Sequence, residues 1–211
     1  VTISDLPYQT PVTVNFRCTA QESVNGREIV NTAQAYADNA QKVKDSSKIW
    51  VNSPVLKVEK TTDKPFYKYG DIITYRIVLT QEQTGCVARN VTLQDVIDTQ
   101  GVRLLKDSVI LMDEKGNVAD ADVQINDDNT FLMSTGRTLV RDSRYSICDN
   151  DIGGLFEQVM YNPLDCQEQK SMIVEYQAAV IDAALAGQKV HNTAVADSSE
   201  KIPATGETET E

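Results

Sequence analysis

The sequence has few of the residues that build metal sites and nucleophilic active sites. Among 211 residues there are one histidine and four cysteines, and no two cysteines have CxxC spacing, which argues against a zinc site. The single histidine, His191, has no serine or cysteine beside it in sequence, so no catalytic triad is apparent. We therefore predict that the chain is not an enzyme and needs no cofactor.

Positive charge and long apolar runs are also scarce. Lysine and arginine number 20 against 31 aspartates and glutamates, a formal net charge of −11, and this balance argues against nucleic acid and anionic membrane surfaces as partners. No apolar run approaches the ~18 residues of a membrane span, and no signal peptide is visible. We expect the chain as given to be soluble, with any export signal or anchor outside these residues.

A short stretch of the sequence occurs twice. Val190–Ala196 reads VHNTAVA, and Ile29–Ala35 reads IVNTAQA, so that Asn31 and Asn192 occupy the same place in two copies. Each copy follows a glycine and an earlier alternating run, and the displacement is about 160 residues. A displacement of that size is typical of domains in tandem rather than of a solenoid.

The alternation of side chains in an extended strand places both asparagines on an apolar face. Val190, Asn192 and Ala194 share one side of the strand, and His191 and Thr193 share the other. A carboxamide among small apolar residues must be hydrogen-bonded or used chemically, because burying it unpaired costs several kcal/mol.

Turn signals and strand patterns divide the chain into three parts. Residues 1–53 are predicted to be the C-terminal portion of a preceding β-sandwich repeat, 54–199 a complete repeat, and 200–211 an acidic linker or tail. The first part is expected to contain strands at about 12–20, 28–37 and 47–52. Alone it would leave exposed strand edges and half a core, so another segment or chain should supply its missing strands.

The complete repeat has many short strands and no alternation of helices with strands. A long strand follows Gly70-Asp71, where Ile73, Tyr75 and Ile77 face one side. Regular turn signals between such strands predict an all-β, immunoglobulin-like antiparallel β-sandwich, in tandem with the incomplete first copy.

Four short motifs occur in an order that resembles a known family. They are Lys60-Thr61-Thr62-Asp63, Gly70-Asp71-Ile72-Ile73-Thr74-Tyr75, Asn90-Val91-Thr92-Leu93-Gln94-Asp95 and Asn192-Thr193-Ala194. Residues 55–199 resemble the conserved repeat domains of unknown function in bacterial surface proteins. They are also similar to the isopeptide-forming immunoglobulin-like domains of Gram-positive pili, fimbriae and adhesins. Residues 12–53 resemble the end of a preceding copy.

The resemblance implies an intramolecular bond between Lys60 and Asn192, with Asp95 as the autocatalytic acid. Strand parity leads to the same trio, because each member shares its face with aliphatic residues: Leu56 and Val58 beside Lys60, Val91, Leu93 and Ile97 beside Asp95, Val190 and Ala194 beside Asn192. Asn31 would be the matching asparagine of a preceding unit, whose lysine and acid are not in this chain.

The chemistry requires an amine, an acid and an amide in a dry interior. Burial lowers the pKa of a lysine and raises that of an aspartate, so the amine becomes a nucleophile while the acid polarises the carboxamide and ammonia leaves. Two other arrangements stay open. In the first, the trio is a buried hydrogen-bonded salt bridge that does not react; in the second, a bulge shifts the parity and turns Lys60 to solvent.

The remaining candidates concern cysteines, calcium and a sorting signal. Cys148 and Cys166 flank a loop-like segment and are candidates for a disulfide in an exported protein, as Cys18 and Cys86 would be across the domain boundary, with free thiols as the alternative. Four aspartates could gather a calcium ion, but they fit no calcium-loop pattern, so calcium is a minor prediction. They are Asp120, Asp122, Asp127 and Asp128. Ile202-Pro203-Ala204-Thr205-Gly206 resembles a sortase sorting signal.

Together with the resemblance, these patterns predict a non-enzymatic stalk or adhesin module at the surface or wall of a Gram-positive bacterium. Its partners would be neighbouring repeats of the same secreted, pilus-like protein and a host or cell-surface ligand. The alternative is a ligand- or carbohydrate-binding module that uses the polar, turn-rich segment 136–170, since long loops on rigid sandwiches often carry recognition.

Overall fold

The structure, a computed structural model, describes residues 1–3, 6, 9–21, 27–84, 86–141, 168–200 and 202–210. The chain divides into two compact units, Val1–Val51 and Asn52–Glu211. That the first unit completes an earlier repeat stays a prediction.

The described residues of the first unit include one antiparallel hairpin. Strand β1 (Arg27–Ala37) pairs with β2 (Ala40–Val51), with a register shift between Ala35 and Ala37, and almost every residue of the hairpin is exposed. The strand predicted near 28–37 is confirmed, and the one predicted at 47–52 begins earlier, at Ala40. The strand predicted at 12–20 is wrong: these residues have no regular structure, because alternation alone cannot hold a strand that has no hydrogen-bonded neighbour.

The second unit is built from short strands. They are β3 (Leu56–Thr62), β4 (Ile72–Gln81), β5 (Val87–Ala88), β6 (Thr92–Ile97), β7 (Val102–Leu104), β8 (Ile110–Met112), β9 (Val118–Ala119), β10 (Asp122–Ile125), β11 (Thr130–Ser134), β12 (Thr138–Val140), β13 (Glu168–Gln169), β14 (Ser171–Val180), β15 (Val190–Asp197) and β16 (Ala204–Thr210). Among the described residues, the short 3-10 helices Lys106–Ser108 and Ala183–Leu185 interrupt them.

Two antiparallel sheets form the body of this unit. One has the strand order β3-β4-β14-β8-β9, with β7 also on β14, and the other has the order β10-β11-β6-β15-β16. A small third sheet, β13-β12-β5, includes the parallel pair β12–β13. The all-β sandwich of immunoglobulin-like type is confirmed.

Strict alternation of buried and exposed residues explains why the two sheets form one core. Strand β4 buries Ile73, Tyr75, Ile77 and Leu79 and turns Arg76 outward. The inner faces of both sheets contribute to a single apolar cluster, so the residues that the parity places inward meet in one interior.

The C-terminal segment is not a tail. Residues 204–210 form β16, which pairs with β15 along its whole length, so the prediction of an acidic linker at 200–211 is wrong for this stretch. Gly206 is buried, and a Cβ atom there would lie 2.6 Å from Cγ1 and 2.7 Å from the carbonyl oxygen of Val58 on β3. The segment that resembles a sorting signal is thus part of the sandwich edge, where only glycine permits this approach.

The segment 136–170 is described only at its two ends, which contain β12 and β13. The predicted recognition loop, with Cys148 and Cys166, lies otherwise outside the described residues. In the part of the chain that is described, no helix is long and apolar enough to cross a membrane.

Candidate functional site

Strand β3 carries a lysine into the core. Leu56, Val58 and Lys60 are buried, while Lys57 and Glu59 between them are exposed. The Lys60 side chain has 0% exposure, although lysines normally extend along apolar surface to bring the ammonium into water. A lysine buried to this degree requires polar partners in the interior.

The partners come from two adjacent strands of the opposite sheet. On β6, Asp95 lies opposite Ala194 of β15, and Asn192 of β15 lies opposite Ile97. Asp95 and Asn192 are therefore diagonal neighbours on one sheet face, and each residue has 0% exposure.

Four side chains close a ring of hydrogen bonds between the sheets. The Lys60 ammonium donates to Asp95 Oδ2 and to Asn192 Oδ1, the latter at 2.5 Å. The Tyr176 hydroxyl, from β14, donates to Asp95 Oδ1 at 2.7 Å and accepts from Asn192 Nδ2 at 2.5 Å. The predicted trio of Lys60, Asp95 and Asn192 is thus in contact, and the parity holds at each position.

Aromatic rings surround the polar ring. Tyr75 stacks on Tyr176 with ring centroids 5.0 Å apart, and Phe131 meets Tyr176 edge to face at 5.1 Å. Lys60 Nζ lies 5.5 Å from the Tyr75 centroid and 5.7 Å from that of Tyr176. The rings exclude water, so charge in this interior is little screened.

Burial shifts the pKa values of Lys60 and Asp95 in the directions that the chemistry needs. Desolvation lowers the pKa of Lys60 to about 8, although the charge of Asp95 opposes the shift. Desolvation also raises the pKa of Asp95, against the effects of Lys60 and of the Tyr176 hydrogen bond. Proton transfer from the ammonium to the carboxylate is thereby made easier, which leaves a neutral amine beside the Asn192 carbonyl.

The two tyrosines remain protonated in this setting. Burial raises the pKa of Tyr75 to about 12 and that of Tyr176 well above its ordinary value, where the charge of Asp95 adds to the effect. The Tyr75 hydroxyl is buried near Asn192 and Thr210, but it forms no hydrogen bond of acceptable geometry with the described residues. Tyr176 is therefore the tyrosine whose hydroxyl is engaged with the trio.

Strand parity could have identified Tyr176 beforehand. It lies between Val174 and Ala178 on the inward face of β14, and a buried tyrosine hydroxyl usually finds a partner. Its contact with Asp95 and Asn192 depends on the pairing of sheets, which the sequence did not reveal.

The other predicted residues lie outside this site. Asn31 is exposed on β1, opposite Ser47. Cys18 and Cys86 are free thiols in the structure, and because they belong to different units a disulfide between them stays a prediction. His191 is exposed on β15, with Nδ1 3.4 Å from Glu209.

The acidic turns have partners of their own. Asp127 pairs with Lys106 at 2.8 Å, and Asp128 accepts from the backbone of Thr130. In the described part of the chain, no group of three or more histidine, cysteine or acidic side chains is arranged to hold a metal ion.

Comparisons with known proteins show the fold. No protein-family model and no curated protein matches the chain. A structure titled BspA_C_WT is 12% identical with a TM-score of 0.50, covering 90% of this chain and 60% of that one. The N-terminal domain of the Streptococcus gordonii adhesin Sgo0707 is 13% identical with a TM-score of 0.47, covering 74% of this chain and 32% of that one.

A pilin is also among the similar structures. The Corynebacterium diphtheriae major pilin SpaA, whose structure "points to a modular pilus assembly stabilizing isopeptide bonds", is 15% identical with a TM-score of 0.42, covering 72% of this chain and 33% of that one. The chain thus spans about a third of the adhesin and pilin structures. Domains of Gram-positive adhesins and pilins are therefore among the structures to which the chain is similar.

Proposed function

We propose that residues 52–210 form a structural module of a bacterial surface stalk or adhesin, locked by an isopeptide bond between Lys60 and Asn192. The contact of the buried amine with the Asn192 carbonyl and with Asp95 is the observation that carries this proposal. The adhesin and pilin neighbours agree with an extracellular, non-enzymatic role, in which further repeats and a surface ligand would be the partners.

The proposed reaction occurs once per molecule and needs no external catalyst. Asp95 takes a proton from the Lys60 ammonium, the free amine attacks Cγ of Asn192, and ammonia leaves. Folding holds amine and amide in contact, and such proximity can replace a large part of a catalyst's contribution. Water is excluded from the site, which prevents hydrolysis of the amide.

The bond would change how the module responds to tension. It would connect β3, the first strand of the unit, with β15, the strand before the last. Force along the chain would then pass from Lys60 directly to Asn192 and would not extend residues 61–191. A module that resists extension in this way suits a stalk that holds a distant tip.

Intact-mass measurement of the denatured protein tests the proposal. The chain without substitutions should have a measured mass about 17 Da below the mass calculated from its sequence, which is the loss of one ammonia. Lys60→Ala should have the full calculated mass of its own sequence. A cross-linked peptide that joins the Lys60 and Asn192 segments must accompany the loss, because succinimide formation at an asparagine removes the same mass.

Lys57→Ala is the matched control for Lys60→Ala. Lys57 lies on the same strand but faces solvent, where it pairs with Glu59 at 2.6 Å. This variant should keep the mass loss and the cross-linked peptide. If the folded chain without substitutions has the full mass calculated from its sequence, the bond is refuted.

The first unit fits the same scheme as the final hairpin of a preceding repeat. Asn31 would then receive its amine and its acid from strands equivalent to β3 and β6. The face of its hairpin that carries Asn31 is apolar, with Ala33 and Ala35 exposed and Ile29 half-buried, as expected of a strand pair that completes another sandwich.

A further inference from the structure

We propose that Tyr176 is a catalytic residue of isopeptide formation, which relays a proton from Asp95 to the nitrogen that leaves Asn192 as ammonia. This inference rests on the proposed function, because it assigns a step within that reaction.

The leaving nitrogen and the acid are in contact with the same hydroxyl. Asn192 Nδ2 is 2.5 Å from the Tyr176 oxygen, which is 2.7 Å from Asp95 Oδ1. The other carboxylate oxygen, Oδ2, accepts from Lys60 Nζ. A continuous path of hydrogen bonds therefore runs from the attacking nitrogen through Asp95 and Tyr176 to the leaving nitrogen.

The path supplies the proton that the leaving group needs. Amide nitrogen is a poor leaving group until it is protonated, and an amide's lone pair is delocalised, so Nδ2 donates to Tyr176 at first. After the Nζ–Cγ bond forms, Nδ2 becomes a basic amine and the hydrogen bond can reverse. Tyr176 then donates its proton to Nδ2 and recovers one from Asp95, whose carboxyl group turns so that the proton taken from Lys60 at Oδ2 faces the tyrosine oxygen.

The protons and bonds balance without another reactant. The Nζ–Cγ bond forms and the Cγ–Nδ2 bond breaks. Starting from the ammonium, Lys60 Nζ gives up two protons: one remains on Asp95, and one reaches Nδ2 through Asp95 and Tyr176. The products are a secondary amide, a protonated Asp95 and ammonia.

The environment keeps Tyr176 able to donate. Burial raises the pKa of its hydroxyl well above the ordinary value, so the phenol is protonated throughout the working range. Its ring is held by Tyr75 on one side and Phe131 at its edge, which fixes the hydroxyl against the two partners.

Tyr176→Phe, compared with Tyr75→Phe, tests the relay. Chain solubilised from inclusion bodies in denaturant and reductant is folded by dilution, and ammonia loss is followed by quenched intact mass while circular dichroism follows folding. Tyr176→Phe should slow the loss on the order of 100-fold, within the usual range for general acid catalysis. Tyr75→Phe should react at the rate of the unmodified chain, although it also removes a buried hydroxyl close to Asn192.

Both substitutions are repeated in the Lys60→Ala background, where no bond can form. If the two tyrosine variants have equal melting temperatures in this background but lose ammonia at different rates when Lys60 is present, the role of Tyr176 is chemical and not structural. If Tyr176→Phe does not fold, a fluorinated tyrosine at position 176 keeps the shape and lowers the phenol pKa. The relay then requires a changed rate at 176 and an unchanged rate for the same residue at 75.

The outcomes distinguish the relay from the bond itself. If the unmodified chain loses no ammonia, the proposed function fails. If it loses ammonia and Tyr176→Phe reacts as fast as Tyr75→Phe, the bond stands and the relay is overturned.

Discussion

The two hairpins of this protein, β1–β2 and β15–β16, have the same register but different surroundings. Asn31 lies opposite Ser47, and Asn192 lies opposite Thr208. Asn192 follows Asn31 by 161 residues, and Thr208 follows Ser47 by the same 161. The internal repeat therefore extends through the strand after the asparagine motif.

Burial separates the two hairpins. Asn192 is fully buried against Asp95, Lys60 and Tyr176, while Asn31 is exposed. The local sequence is thus sufficient to pair the strands in register. Chemistry at the asparagine depends on strands far away in sequence, which supply the amine, the acid and the dry interior.

The largest expected difference between the hairpins concerns the asparagines. Asn192→Ala should abolish ammonia loss and lower the free energy of unfolding by about 5 kcal/mol, the cost of losing a cross-link that closes a loop of roughly 100 residues or more. For a domain of this size the melting temperature should fall by about 10–20 °C.

Asn31→Ala is the matched change in the exposed hairpin. It should leave the mass loss unaltered and change stability by no more than about 0.5 kcal/mol. Calorimetry and intact mass measure both variants. Equal melting temperatures for the two would contradict a cross-link at Asn192.

A duplicated sandwich should make the first hairpin reactive. In a chain with residues 54–189 repeated directly ahead of Ile29, Asn31 gains a copy of Lys60 and Asp95, and the total loss should rise to two ammonia, about 34 Da. This chain also needs Asp45→Gly, because Asp45 occupies the place of Gly206, which packs on Val58.

Substitution of each asparagine in turn shows which of them releases each of the two ammonia molecules. Asn31→Ala should remove one and Asn192→Ala the other. A single loss that does not depend on Asn31 would show that the first hairpin does not complete a repeat.

Gly206 and Asp45 should differ in their tolerance of a methyl group. Gly206→Ala places a Cβ atom 2.6 Å from a Val58 methyl carbon and 2.7 Å from a backbone oxygen that cannot easily move. Overpacking of this kind should cost about 1–3 kcal/mol in denaturant unfolding. Asp45→Ala, at the exposed equivalent, should have almost no effect, and an equal cost would contradict the close approach of β16 to β3.

The rate of bond formation should depend on pH with a maximum. At pH values between the raised pKa of Asp95 and the Lys60 pKa of about 8, Lys60 and Asp95 share one titratable proton. This proton lets Asp95 act as the acid once the amine is free. Above about pH 8 that proton is lost, and the rate should fall about tenfold per pH unit.

At low pH a second proton keeps the amine charged, so the rate should fall again below the pKa of Asp95. Quenched mass measurements after folding at different pH values provide the profile, with Tyr75→Phe as the reference variant. A rate that keeps rising above pH 8 would show that deprotonation of the amine is sufficient and that Asp95 does not act as an acid.

Much of the fold and site could be predicted because alternation is a local property. The inward positions of Lys60, Asp95 and Asn192 followed from the aliphatic residues two positions away, and the structure places all three inside. Strand β16 was missed since its inward residues, Gly206, Thr208 and Thr210, are small or polar and give no apolar period. The strand expected at 12–20 failed for the opposite reason, because its alternation has no partner strand in the described part of the chain.

The sequence by itself determined which side chains of β3, β6 and β15 face inward, because alternation depends on neighbours two residues apart. Only the tertiary structure decided that Tyr176 meets Asp95 and Asn192, that β16 closes the sandwich edge at Val58, and that one hairpin is buried while its repeat is exposed. These contacts join residues far apart in the chain. Their geometry depends on strand order and sheet packing, which alternation along a single strand does not encode.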